Sequence, residues 1–201
     1  MALSEQLQHD TLNLARSFIR RALRVDNFIP RPAEPALRDP AGCFVSLHSL
    51  HGHRLRGCVG RIDASQPLII ALESASRSVL EDPRFANAPV TPEELAWLAI
   101  EVSVLSPPHL VQSPLDFDPP TEGIYLTFGN RSGCFLPQVA RETGWSREQL
   151  LDRLCTEKMG LPASTWRQPQ AVLQVFSVDV IGPEPFETSL PAPVGKQPQR
   201  Q

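Results

Sequence analysis

Cys43-Phe44-Val45-Ser46-Leu47-His48, Ser49-Leu50-His51-Gly52-His53 and Arg54-Leu55-Arg56-Gly57-Cys58-Val59 form the stretch that decides the fold. The outer runs carry the β-branched, aromatic and aliphatic residues of strands, and a short glycine-containing connection around His51 and Gly52 joins them. The stretch therefore predicts a β-hairpin. Upstream, Ser4 is placed to cap a helix over about Glu5 to Arg24, with Leu7, Thr11, Leu14, Ala15, Phe18 and Ala22 on one face. Downstream, Pro67 suits the first turn of a second helix with Leu68, Leu72, Ala75 and Val79 as its buried stripe, ending near Asp82-Pro83.

Thr91-Pro92-Glu93-Glu94 has the spacing of a capping box, which predicts a short helix before Trp97. Leu98 to Leu105 then alternates, with Leu98, Ile100, Val102 and Val104 on one face and Glu101 and Ser103 on the other. A second hairpin is expected from Ile124–Phe128, a Gly129–Gly133 turn and Cys134–Leu136. A capping box from Ser146 to Gln149 opens a helix that stops at Gly160, and Val172 to Ile181 supplies a last strand. Hairpins mixed with helices, without regular βαβ alternation, define an α+β fold with a largely antiparallel sheet and flanking helices.

With 201 residues, 41% of them hydrophobic and 20% charged, the chain is long enough for one substantial core. Its formal charge of −3 comes from 22 acids and 19 bases without a long run of either sign, which argues against nucleic acid and anionic membranes as partners. The amino terminus lacks the pattern of a signal peptide and no apolar run reaches membrane-spanning length, so the expected location is the cytoplasm. Cys43, Cys58, Cys134 and Cys155 form no C-x-x-C pair, and reduced thiols are expected. The 21 prolines gather in loops, and Pro183 to Gln201 reads as a Pro/Gln-rich flexible tail, leaving residues 1–182 as the domain.

In Arg56-Gly57-Cys58-Val59-Gly60-Arg61 a cysteine stands between two glycines and near two arginines. Positive charge lowers a thiol pKa and glycines let a ligand approach the backbone, so Cys58 is the candidate nucleophile; as a small packing residue between glycines it needs no reactivity. His48, His51 and His53 are the nearby bases, but their spacing is not that of a metal site and no metal is expected. Asp82-Pro83-Arg84-Phe85 reads as a structural helix stop with Phe85 returning to the core; the alternative joins Arg84 to Glu101, whose carboxylate needs a partner. Gln138, after Pro137, either presents its amide to a ligand or caps its own helix.

Leu55-Arg56-Gly57-Cys58-Val59-Gly60, Asp82-x-Arg84-Phe85, Glu101-Val102-Ser103-Val104-Leu105-Ser106 and Leu136-Pro137-Gln138-Val139-Ala140, in that order, resemble the AMMECR-type domain family from about Thr11 to Gly182. The resemblance implies a larger antiparallel sheet with helices and a smaller second lobe. It establishes no reaction and implies no cofactor. Prokaryotic relatives, known as protein A of the AmmeMemoRadiSam system, associate by name with a Memo-like protein and a radical SAM protein, which makes those two the expected partners. Carried over residue by residue, the motif maps onto Arg56, Gly57, Cys58 and Gly60, onto Asp82, Arg84 and Phe85, onto Glu101, and onto Leu136, Pro137 and Gln138; by their own chemistry Cys58 is the candidate nucleophile, Glu101 the candidate orienter or acid/base, and Arg56, Gly57, Gly60, Arg84 and Gln138 the candidate binding residues. Arg61 stands where the family pattern has threonine, and His109 where it has an acid.

Overall fold

The computed structural model describes residues 3–32 and 34–187. Helix α1 (Glu5–Ala22) starts as expected: the Leu7 N–H donates to Ser4 Oγ, and Leu7, Thr11, Leu14, Ala15 and Phe18 are buried. Strands β1 (Gly42–Ser49) and β2 (Leu55–Arg61) form the antiparallel hairpin. Helix α2 (Leu68–Ser78) buries Leu68, Leu72 and Ala75 and runs into 3-10 turns that end at Phe85. Then come β3 (Leu98–Leu105), the two-residue β4 (His109–Leu110), β5 (Glu122–Phe128) and β6 (Arg131–Phe135). Helices α3 (Pro137–Thr143) and α4 (Arg147–Arg153) precede the long β7 (Val172–Pro185). Ser146 and Gln149 make the expected capping box at α4.

The seven strands form one sheet in the order β2-β1-β3-β7-β5-β6, with β4 also paired to β7 and every described pairing antiparallel. The fold is α+β. Two hydrophobic cores lie along it. In the first, α1 and α2 cover Val45, Leu47, Ile100 and Val102; in the second, the α3–α4 region covers Ile124, Leu126 and Phe135. Leu173 and Val175 of the second core and Ile181 of the first share one face of β7 by alternation, so both cores press on the same side of the sheet. Removing a side chain such as Leu47 from water contributes roughly 1.5–3 kcal/mol, which fixes the register of the strands it belongs to.

Three local expectations are corrected. Residues 183–185 continue β7, Phe186 is 0% exposed, and Glu187 bonds Arg20, so the domain reaches at least Glu187. Residues 183–187 thus belong to the domain rather than to the tail expected from Pro183; the rest of that segment, residues 188–201, lies outside the described residues. Thr91 makes no side-chain cap, because its hydroxyl bonds the Glu93 carboxylate and the Glu94 N–H donates to the Thr91 carbonyl (3.2 Å), and Pro92–Trp97 is a 3-10 helix. The second hairpin turns on two residues, Gly129 and Asn130, rather than five.

Candidate functional site

Strand alternation sends Val45, Leu47 and Gly57 toward the helices, and Ser46 and Cys58 to the opposite face. Ser46 is the register partner of both Cys58 on β2 and Glu101 on β3. Thiol, hydroxyl and carboxylate thus stand in one row across three adjacent strands. Register partners have Cβ atoms about 4.5–5.5 Å apart, so each neighbouring pair is within side-chain reach. Cys58 and Glu101 are half-buried and Ser46 is 7% exposed; the Cys58 thiol meets the Arg84 guanidinium, and the Ser46 and Glu101 side chains make no hydrogen bond or ion pair among the described residues. His48 follows Ser46 by two residues on the same face of β1, and its Nε2 is buried without a partner.

Around this row the rest of the motif is occupied in building the sheet edge. The Cys58 N–H donates to Asp82 Oδ2 (3.0 Å), and Arg84 Nη2 donates to the Cys58 carbonyl (3.0 Å). Asp82 also accepts from the Arg84 N–H (3.0 Å) and from its guanidinium (3.0 and 2.6 Å). The outward-facing backbone of an edge strand is a template for unwanted pairing, and here one carboxylate and one guanidinium close it. The Arg84 side chain, followed by the backbone N–H groups of Cys58 and Arg84, holds the Asp82 carboxyl well below the usual carboxylate range against the opposing effect of burial. The helix-stop reading holds, and the Arg84–Glu101 pair does not form.

Arg56 sits at the β-bulge where the register shifts and forks onto both oxygens of Glu94, with a further bond to the Ala88 carbonyl. That hydrogen bond, with the charge of Arg56, holds the Glu94 carboxyl below its ordinary value. Both guanidinium groups lie over the Phe85 ring, at 5.7 and 5.8 Å, and Phe85 is half-buried rather than returned to the core. Arg61 pairs with Asp63.

The two glycines have packing reasons. A Cβ on Gly57 would sit 2.7 Å from the Val79 carbonyl at the end of α2, and one on Gly60 would sit 2.1 Å from the Cys43 carbonyl and 2.7 Å from the Phe44 ring. Gly57 brings helix and strand together, and Gly60 lets Phe44 lie across β2.

Gln138 stands apart, at the start of α3 beyond β6, on the opposite edge of the sheet from β2, with its Oε1 buried and unpartnered. Cys43 pairs in register with Arg61, so it is not opposite Cys58 and faces the core. Burial pushes the Cys43 thiol up to about 12. Among the described residues, a cavity of about 590 Å³ lies between Phe117, Arg147 and His109, and Cys58, Ser46 and Glu101 do not line it. Sequence reasoning missed Ser46 and Glu94. The phase of β1 would have placed Ser46 on the Cys58 face had the hairpin register been known; Glu94 was absorbed by a local capping pattern.

Residues 12–181 match the AMMECR1 family. Among curated proteins, the chain is 35% identical over 199 residues to a protein of Thermococcus gammatolerans, covering 93% of each chain. It is 36% identical over 159 residues to protein MJ0810 of Methanocaldococcus jannaschii, covering 76% of this chain and 78% of that one. The crystal structure of protein PH0010 from Pyrococcus horikoshii superposes with a TM-score of 0.76 at 33% identity, covering 89% of this chain and 92% of that one. Among the described residues no helix is long and apolar enough to cross a membrane.

Proposed function

The chain belongs to the AMMECR1 family, and from that premise we propose that it is a cytoplasmic accessory protein that presents the Cys58–Ser46–Glu101 face of β1–β3 to a protein partner. The observation that supports this reading most is the division of labour within the motif. Arg56, Arg84, Asp82 and both backbone groups of Cys58 are satisfied internally, so they hold a rigid edge and leave neither motif arginine free for a substrate anion. What remains unsatisfied is the Ser46 hydroxyl and the half-buried Glu101 carboxylate on a braced sheet, suited to docking at low ordering cost. The first partners to try are the Memo-like and radical SAM proteins that the family resemblance names.

The test is capture of each purified partner by the full chain. Cys58→Ser should retain capture, because docking needs shape and not thiolate chemistry. Val180→Trp, at the 39% exposed rim of the same face, should abolish it while circular dichroism and the unfolding midpoint stay near those of the parent. Capture unchanged by Val180→Trp would reject the docking face.

A second reading is favoured by His48, whose unpartnered Nε2 lies on the same strand face as the row. In it Cys58 is a nucleophile or acceptor and His48 its base, with Glu101 as orienter. Native alkylation of Cys58 should then follow a titration that His48→Gln removes; a rate identical in His48→Gln would dismiss it.

A further inference from the structure

We infer that the partner seated on this face places a basic side chain, lysine or arginine, against Glu101. The inference rests on the docking role above and names the chemistry that role selects. Glu101 lies on β3, an interior strand paired to β1 and β7, and is half-buried. A carboxylate removed from water without a partner is costly, and natural chains pair it or neutralise it.

No cation pairs with it among the described residues. Arg56 is held by Glu94, Arg61 by Asp63 and Arg84 by Asp82. Beside Glu101 in the row stand only the neutral Ser46 and Cys58. On its other side β7 bulges: the register jumps between Ile100 and Val102, so no β7 residue is in register with Glu101, and Gly182 at the bulge carries no side chain.

The neighbouring row on the same face runs through Phe44, Ser103 and Val180, the last 39% exposed. An aromatic ring and an aliphatic rim beside an unpaired carboxylate suit a long cationic side chain, whose methylenes lie on apolar surface while its head meets the charge. A neutral or acidic contact would leave Glu101 desolvated and unpaired. Charge complementarity therefore selects a basic segment.

The experiment uses three extended peptides against the full chain: acetyl-Val-Arg-Val-amide, its neutral isostere with citrulline in place of arginine, and the same peptide with glutamate. Binding is read from the amide resonances of Ser46, Cys58 and Glu101. The arginine peptide should bind roughly tenfold more tightly than the citrulline peptide, with the glutamate peptide weakest, and Glu101→Gln should erase the gap. Equal binding of the arginine and citrulline peptides, a gap that survives Glu101→Gln, or no binding of the arginine peptide would overturn the inference. The docking role is judged separately, by partner capture with Val180→Trp, so the two can fail independently.

Discussion

Replacing Asp82 by alanine should destabilise the protein by about 3–4 kcal/mol, and the size follows from which of its bonds water can replace. Asp82 is 3% exposed and accepts two backbone N–H groups and the Arg84 guanidinium. The Arg84 side chain is 56% exposed, so its head returns to water on mutation and the ion pair itself contributes under about 1 kcal/mol. The Arg84 N–H is an N-cap bond worth about 1 kcal/mol. The Cys58 N–H, on an edge strand against a carboxylate, contributes about 1.5–3 kcal/mol. Asp82→Asn keeps an acceptor and should lose about half as much. The assay is urea unfolding by tryptophan fluorescence, in which the midpoint should fall with an unchanged slope. A change within about 0.5 kcal/mol for Asp82→Ala would refute the idea that this carboxylate closes the β2 edge.

The same group makes acid stability testable. Because the folded Asp82 carboxyl titrates below its unfolded value of about 3.9, its contribution is complete above roughly pH 5 and is lost as pH falls below that toward the folded value; Asp82→Asn should flatten that limb of stability against pH. Gly60→Ala puts a Cβ into the Cys43 carbonyl and the Phe44 backbone, which cannot yield, and should cost more than about 2 kcal/mol or prevent folding, as read by the unfolding midpoint or soluble yield. Arg56→Lys keeps the charge but loses the fork on Glu94 and should cost about 1–2 kcal/mol in the same assay. Native thiol labelling at neutral pH should modify half-buried Cys58 first, since burial pushes Cys43 and Cys134 up to about 12 and raises Cys155 as well; mass spectrometry showing Cys134 modified before Cys58 would contradict the exposed-row geometry.

The elements were legible wherever a local signal and the tertiary demand agreed. Ser4, the Leu7-to-Phe18 stripe and the Ser146–Gln149 box each act within a helical turn or along one face, and each appears where the sequence puts it. Glu94 shows the opposite case: the box is only half made, with the Thr91 hydroxyl turned to Glu93, and the main partner of the Glu94 carboxylate is an arginine 38 residues away that offers two charge-assisted bonds. Phe186 was lost in the composition of a proline-rich segment, although its ring is fully buried in the first core just past the end of β7. The Cys58–Ser46–Glu101 row was beyond reach for a geometric reason. Its residues are known only when two registers are known, and a slip of one residue in either sends one member to the helix face.

The motif residues divide by what folding already requires of them. Gly57 and Gly60 are needed by a helix end and an aromatic ring, Arg56 by Glu94, and Asp82 and Arg84 by the free edge of β2. Substituting any of these will lower function through stability alone, so loss of function at those positions carries no information about chemistry or docking. The positions that do carry it are those whose side chains the fold leaves unused among the described residues: the Ser46 hydroxyl, the Glu101 carboxylate and the His48 ring nitrogen. Glu101 is the most informative of the three, because an unpaired half-buried carboxylate is a standing cost to the free protein, and Glu101→Gln should therefore leave stability equal or slightly higher while weakening whatever the face binds. Opposite signs for stability and binding at one residue are the signature of a site kept for a partner rather than for the fold.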